Sequence, residues 1–318
     1  TFRESLRDIE DCLRPRQHQL YNLGFRGSIA RSTLADANAT RDCHIFEEFA
    51  LLLIARARKL CVDDRSGIDE LDATIYAIDS TTIDLCLASF RKNKAAIKVH
   101  TQLDLRGPLP VLVHVTDGKV HDVNWLDAIL FEPACFYLLD RGYVDFGRLW
   151  RIEQADAYFI TRAKSNLQFY RCHSQPPQGE GVIADQVIRL TGVRSKREYP
   201  EPMRRVVYRD PETGKLLVFL TNNFDLPALT IALLYKARWK IELFFKWLKG
   251  NVRIKAFFGR EPNAVKIQIW CALAVYSTLL IIKRRLGLTA SLHRILAVLS
   301  VSNFEQVNIH QIFTEIRL

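Results

Sequence analysis

LYKARWKIELFFKWLKG, Leu234 to Gly250, is the stretch on which the reading of the fold turns. Wound as a helix at about 100° per residue from Tyr235, it sets Arg238 at about 300°, Glu242 at about 340° and Lys249 at about 320°. Four polar groups therefore share a stripe roughly 60° wide. Leu234, Ala237, Ile241, Phe244, Phe245 and Leu248 fall at about 180° to 280°, so the stripe borders the buried face. Two readings follow from the spacing alone. The stripe is either a solvated face, with Arg238 and Glu242 as an i,i+4 pair worth a few tenths of a kcal/mol, or a set of functional groups held against a core. Lys236, Lys240 and Lys246 spread positive charge around the same helix. Trp239 and Trp247 suit packing, with stacking on an extruded base as the alternative.

Upstream the period changes. From Thr74 the chain reads as strands: TIYAID ending at Asp79, AAIKVHTQLDL turning through Arg106-Gly107-Pro108 into LPVLVHVT, and ACFYLLD ending at Asp140. A helix over Phe146 to Gln154 and a strand AYFITRA follow, which is the alternation of an α/β domain. Asp79 and Asp140 are each expected where an apolar strand stops, the place where α/β sheets gather functional groups, although Asp also starts turns and caps helices. Asp117, His121 and Asp122 in TDGKVHD read as a turn and helix cap, with a metal cluster as the alternative. In DRGY, Arg141 and Tyr143 are candidates to support Asp140, and Gly142 to relieve the turn.

Between Lys164 and Thr221, Pro176-Pro177, Gly179, Gly181, Pro200 and Pro202 interrupt strand-like runs, and RRVVYR and LLVFLT flank the turn DPETGK, so this segment reads as a β-rich insertion. Helical periodicity returns from Leu229 to Lys249 and again from about Pro262 to Arg285. Residues 1 to about 65 read as helical, with starts at Ser5 and Ser32 and a longer helix over His44 to Leu60.

The composition sets the outer limits. The 318 residues are 48% hydrophobic and 25% charged, which excludes disordered and collagen-like chains. Lys+Arg exceed Asp+Glu by 45 to 35, a net charge of +10, and the resulting field favours a polyanion or an anionic surface. Seven scattered cysteines without a C-x-x-C pair signal neither a disulfide framework nor a zinc site, and favour a reducing compartment. The most apolar run, Ile269 to Ile282, falls short of the roughly 20 residues that cross a bilayer and reads as a buried helix. No secretory signal opens the chain, and because it begins at Thr1 it is expected to lack its natural start.

Tyr235, Arg238, Glu242 and Lys249 match the signature Y-x2-R-x3-E-x6-K without departure. With AIDST at Asp79 and LLDRGY at Asp140, spaced by 61 and then 102 residues, the chain over Leu71 to Gly287 resembles the DDE transposases of the YREK insertion-sequence group, the IS-four family. The resemblance implies an α/β, RNase H-like catalytic core with a β-rich insertion and a helical N-terminal region. It implies that Asp79, Asp140 and Glu242 are the catalytic residues and the ligands of two Mg²⁺ ions, with Mn²⁺ able to substitute. Hard cations take oxygen ligands, and paired metals serve the attacking and leaving oxygens of a phosphodiester displacement. Tyr235, Arg238 and Lys249 are implied to contact DNA phosphates, for which a phenol, a guanidinium fork and an ammonium are suited.

The organisation expected on this basis is a helical region over 1–70, a candidate for DNA-end binding, the first part of the core over 71–164, the insertion over 165–221, the second part of the core with the Glu-bearing helix over 222–290, and a C-terminal tail over 291–318. The implied activity is strand cleavage and transfer at insertion-sequence ends, cut-and-paste through a hairpin. The implied partners are double-stranded DNA, as terminal inverted repeats and target, and a second copy of the chain in a homodimer, with no membrane and a place in the prokaryotic cytoplasm at the nucleoid. Two further readings stay open: an RNase H-like nuclease without strand transfer, and a catalytically silent DNA-binding remnant.

Overall fold

The computed structural model describes residues 5–21, 24–61, 71, 73–84, 96–252, 254, 257–259, 261–302 and 308–315. The helices are α1 (Leu6–Leu13), α2 (Gln17–Tyr21), α3 (Arg31–Thr40), α4 (Cys43–Cys61), α5 (Phe146–Gln154), α6 (Val193–Glu198), α7 (Ala228–Ala237), α8 (Trp239–Asn251), α9 (Pro262–Arg285), α10 (Leu292–Ser302) and α11 (Ile309–Glu315). The strands are β1 (Ile75–Asp84), β2 (Ala96–Asp104), β3 (Leu109–Asp117), β4 (Phe136–Leu139), β5 (Tyr158–Arg162), β6 (Phe169–Gln175), β7 (Val182–Leu190), β8 (Met203–Arg209) and β9 (Leu216–Thr221). Two compact units divide them, one of Asp64–Thr82 and Lys98–Leu243, the other of Thr1–Asp63, Ile83–Ile97 and Phe244–Leu318.

The first unit is built on a mixed α/β sheet of nine strands in the order β3-β2-β1-β4-β5-β9-β8-β7-β6. β1, β4 and β5 are parallel neighbours, and such strands must be apolar on both faces. Ile75 to Ile78 and Phe136 to Leu139 are accordingly buried throughout. Tyr76, Tyr137, Leu139 and Phe159 form one cluster with Leu149 and Ile152 of α5. Across 169–221 the chain adds antiparallel β6 to β9 to the same sheet, because β9 pairs with β5. The strand that ends this excursion thus lies beside β5 and delivers the chain to α7.

Two local expectations change here. β1 does not stop at Asp79 but continues to Asp84: Thr81 and Ile83 are buried while Thr82 is exposed, and that alternation of β-branched residues sustains a strand. The single helix expected from Leu229 to Lys249 is two, broken at Arg238. The Arg238 N–H donates to the Tyr235 carbonyl at 3.1 Å and the Ile241 N–H to the Arg238 carbonyl at 3.1 Å, so a tight i−3 turn separates α7 from α8.

In the second unit, α1 opens with a capping box: Ser5 Oγ accepts from the Asp8 N–H at 3.2 Å and the Asp8 carboxylate from the Ser5 N–H at 2.9 Å. The start expected at Ser32 lies earlier. α3 begins at Arg31 behind Ala30 without a side-chain cap of its own, and the Glu10 carboxylate accepts the Arg31 N–H at 3.1 Å instead. α9 is 24 residues long and apolar enough to cross a membrane by length and composition, but 61% of its most apolar window is buried inside the protein. It packs along α4 and against Phe244 and Trp247 of α8 through Tyr276. Trp247 is therefore packing, while Trp239 remains 58% exposed.

Candidate active site

Register builds the first half of the site. The parallel ladder of β1 and β4 ends with the pair Ile78↔Leu139, so the next residues, Asp79 and Asp140, emerge level with each other on adjacent strands. Strand neighbours lie about 4.8 Å apart. The pair Leu139↔Thr161 of β4 and β5 likewise makes Arg162 level with Asp140. Asp140 leads into a 3-10 turn, Arg141–Tyr143, and its carbonyl accepts from the Tyr143 N–H at 3.0 Å and the Thr161 hydroxyl at 3.4 Å. Gly142 has an ordinary backbone and open space where a Cβ would sit, so the turn does not require glycine.

The second half comes from the α7–α8 break. Arg238 reaches back to the sheet, Nη1 donating to Asp79 Oδ2 at 3.0 Å, while Nη2 donates to Glu242 Oε1 at 2.6 Å. The guanidinium is thereby a bridge between the first acid and the third. The Tyr235 hydroxyl donates to Asp140 Oδ1 at 3.4 Å, and the guanidinium carbon of Arg238 lies 5.7 Å from the Tyr235 ring centre. Glu242 sits in the first turn of α8, where a carboxylate also meets the positive end of the helix dipole. Five residues expected at the site, Asp79, Asp140, Tyr235, Arg238 and Glu242, are thus drawn together. The i,i+4 pair is no solvated surface pair, since only 13% of the Arg238 side chain is exposed. Lys249 lies roughly two turns further along α8, half-buried.

The electrostatics follow first from burial, with the neighbouring like charges adding to it. Burial raises the Asp79 carboxyl to about 6; Arg238 and the Ser80 N–H pull it down, and Asp140 and Glu242 push it up. Burial raises the Tyr235 hydroxyl to about 12, with Arg238 and Arg162 opposing and Asp140 adding. One guanidinium between two of three carboxylates therefore does not restore Asp79 to its ordinary value. Three carboxylates sharing one guanidinium supply hard oxygen donors of the kind that fit a divalent cation.

Two residues that spacing did not single out, Lys98 and Ser80, the latter next to Asp79 in the chain, join Asp122. Ser80 Oγ donates to Asp122 Oδ1 at 2.7 Å, and Lys98 Nζ lies 3.1 Å from the same oxygen. Of the TDGKVHD residues, only Asp122 is drawn in: Asp117 accepts from the Lys119 N–H at 2.9 Å within a turn, and His121 is exposed before a 3-10 helix, Asp122–Ala128. Among the described residues, the three candidate ligand atoms lying within 4.8 Å of one another belong to Asp42, Cys43 and His44. There the His44 N–H donates to Asp42 at 3.0 Å, an ordinary helix start. Lys236 pairs with Asp210 at 3.3 Å and Glu212 at 3.7 Å, and the Lys240 ammonium donates to the Leu105 carbonyl at 3.2 Å.

Two acids level on neighbouring parallel strands are thus joined by a glutamate from a helix, and the sequence comparisons show the family. The profile of the transposase DDE domain matches residues 70–278, more than half of the chain. The chain belongs to the DDE transposases and, within them, to the IS-four family of insertion sequences. It is 35% identical over 260 residues to y4zB of Sinorhizobium fredii, named as a transposase, covering 79% of this chain and 71% of that one. It is 30% identical over 210 residues, 64% of this chain and 55% of the relative, to a Geobacillus stearothermophilus protein named for a transposase of insertion sequence element IS5377. A Synechocystis protein named for a transposase of element IS4SA is 24% identical over 277 residues, 84% of this chain and 77% of its own length.

Proposed function

We propose that Asp79, Asp140 and Glu242 are the catalytic acids of a transposase that cleaves and joins DNA strands at insertion-sequence ends, cut-and-paste through a hairpin, as a homodimer on its DNA in the prokaryotic cytoplasm. The observation that carries the reading is the Asp79–Arg238–Glu242 bridge beside the level pair Asp79 and Asp140. A mixed sheet with both aspartates at the ends of its parallel pairing supports the RNase H-like core. The acids would hold Mg²⁺, two ions with Mn²⁺ as substitute, and the bound metal would supply positive charge for the attacking and leaving phosphodiester oxygens.

The chain's own groups do the rest. Arg238 has its guanidinium fork beside the acids and can carry a DNA phosphate while keeping Glu242 turned toward Asp79. Tyr235 keeps its proton at neutral pH, because its hydroxyl is raised to about 12, and so acts as a hydrogen-bond donor to Asp140 or to a phosphate oxygen. Arg162, level with Asp140, and Lys249 add phosphate charge. The helical region over 1–70 is assigned to DNA-end binding.

Linear duplex carrying the element ends, incubated with the protein and Mg²⁺ or Ca²⁺, tests this. Nicks, hairpins and joined products with Mg²⁺ are expected. Nicks without joining would leave an RNase H-like nuclease, and binding without any cleavage a silent remnant.

A further inference from the structure

We infer that Asp122, acting through Ser80, is a positioning residue for Asp79, an inference that rests on the proposed reading of the acid site. Asp79 lies one residue beyond the last β1–β4 pair, so on that side the strand has lost the ladder that fixes its backbone. The Ser80 N–H nevertheless donates to Asp79 Oδ1 at 2.8 Å while Arg238 holds Oδ2 at 3.0 Å. Both oxygens of Asp79 are thereby oriented, one of them by a peptide group that the ladder to β4 does not anchor.

On the β4 side the anchor is the Ser80 side chain, while the other edge of β1 lies against β2. Successive strand residues point to opposite faces, so the Ser80 hydroxyl turns away from the Asp79 carboxylate and donates to Asp122 Oδ1 at 2.7 Å. Asp122 is held in turn by Lys98, whose ammonium lies 3.1 Å from the same oxygen and donates to the Val120 carbonyl at 2.7 Å. An oxygen that already takes a hydroxyl and an ammonium is a poor further ligand for a cation and a good fixed acceptor. The chain of contacts Lys98–Asp122–Ser80–Asp79 replaces the missing ladder bond and sets the direction in which Asp79 presents its oxygens. Partners that orient a ligand in this way typically cost 10–100-fold in metal affinity or activity when removed.

The test is Mn²⁺ binding to the full chain followed by electron paramagnetic resonance, beside thermal unfolding and duplex DNA affinity, in Asp122→Ala, Ser80→Ala, Asp122→Asn and Asp79→Asn. Asp122→Ala and Ser80→Ala should each weaken Mn²⁺ about tenfold or more with DNA affinity unchanged. Asp122→Asn should recover most of the loss, because its amide oxygen still accepts from Ser80. Should Asp122→Ala fail to fold, Ser80→Ala, which removes one hydroxyl, decides the matter. Wild-type binding that Ser80→Ala leaves unchanged overturns the inference. So does an Asp122→Asn protein as weak as Asp79→Asn, which would make Asp122 a direct ligand. Wild-type protein whose Mn²⁺ binding is absent, or is untouched by Asp79→Asn, overturns the reading of the acid site itself and the inference with it.

Discussion

The strand half and the helix half of the site are held by different forces. Asp79 and Asp140 are made level by backbone hydrogen bonds between buried apolar strands, an arrangement that no single side chain controls. Tyr235 and Glu242 are aligned with them across a helix break, where Arg238 ties Glu242 to Asp79. A site on rigid strands tolerates substitution nearby, whereas one held by an ion-pair fork depends on the residue that makes it. The two halves should therefore fail differently.

The largest effect should fall equally on both halves. Asp79→Asn, Asp140→Asn and Glu242→Gln keep side-chain shape and remove the charge that would bind metal. Each should abolish cleavage, a loss well beyond the 10–100-fold expected of a supporting residue, with duplex affinity nearly unchanged. Metal at 100 times its dissociation constant should stabilise the wild-type protein by about 2.7 kcal/mol, and the amide variants should lose that gain in thermal unfolding. Full cleavage by Glu242→Gln would confine the acid site to the strand half.

Arg238→Ala comes next and separates the halves. It releases Glu242 while leaving the register of Asp79 and Asp140 intact, so single-turnover cleavage should fall by about 10² to 10³, the range seen when one preorganised charge donor is lost. Arg238→Lys should recover only part, since an ammonium cannot fork between two carboxylates. A lysine variant at the wild-type rate would show that charge alone holds the helix half.

The halves also differ in how far sequence discloses them. Apolar runs that end in aspartate point to Asp79 and Asp140, because strands buried on both faces must be apolar and their first charged residue marks the exit. Where β1 ends was hidden, since Ser80 to Asp84 remains compatible with a strand beyond the functional residue. The spacing of Tyr235, Arg238 and Glu242 was visible, yet an ideal wheel assumes an unbroken helix, and nothing in KARWK contains the Pro or Gly that usually announces a break. The residue at the break, Arg238, is the one that reaches Asp79 across 159 residues, a long-range contact that local sequence does not display. Asp122 was visible as part of TDGKVHD, but its bond to Ser80 was hidden for the same reason: it joins residues 42 apart, and only the fold brings them together.

A buried histidine on β2 of the same sheet carries a pH signature. His100 on β2 is buried, its Nε2 lies 2.9 Å from Thr116 Oγ1, and its ring stacks on Trp125 at 5.6 Å. Burial lowers it from 6.5 to about 4, against the opposing pull of Asp122. At this residue the unfolded chain binds more protons between these values, so the stability His100 contributes above pH 6.5 is lost as pH falls toward 4. Asp79, raised to about 6, holds its proton more tightly in the folded chain and opposes that loss over much of the same range. Relative to wild type, His100→Gln should lose the acid-side destabilisation, so that in thermal unfolding its stability falls less, or rises, as pH drops from 6.5 toward 4. An unchanged profile would move the acid sensitivity elsewhere.

The smallest effect concerns Lys249 and tests whether phosphate binding on this helix can be parted from holding the acids. If Lys249 contacts one phosphate, Lys249→Ala should reduce the slope of log K against log [salt] by about one contact, 0.9 units for duplex DNA, and leave cleavage at saturating DNA unchanged. Arg238→Ala should lose a similar increment of slope and also the cleavage rate, because its guanidinium serves Asp79 and Glu242 as well as DNA. The two variants thus share a binding defect and differ in chemistry. If Lys249→Ala slows cleavage at saturating DNA as much as Arg238→Ala does, the separation of roles along the helix is wrong. If neither changes the salt slope, Arg238 belongs to the acids alone and the phosphate contacts must come from other residues, Arg162 first among them.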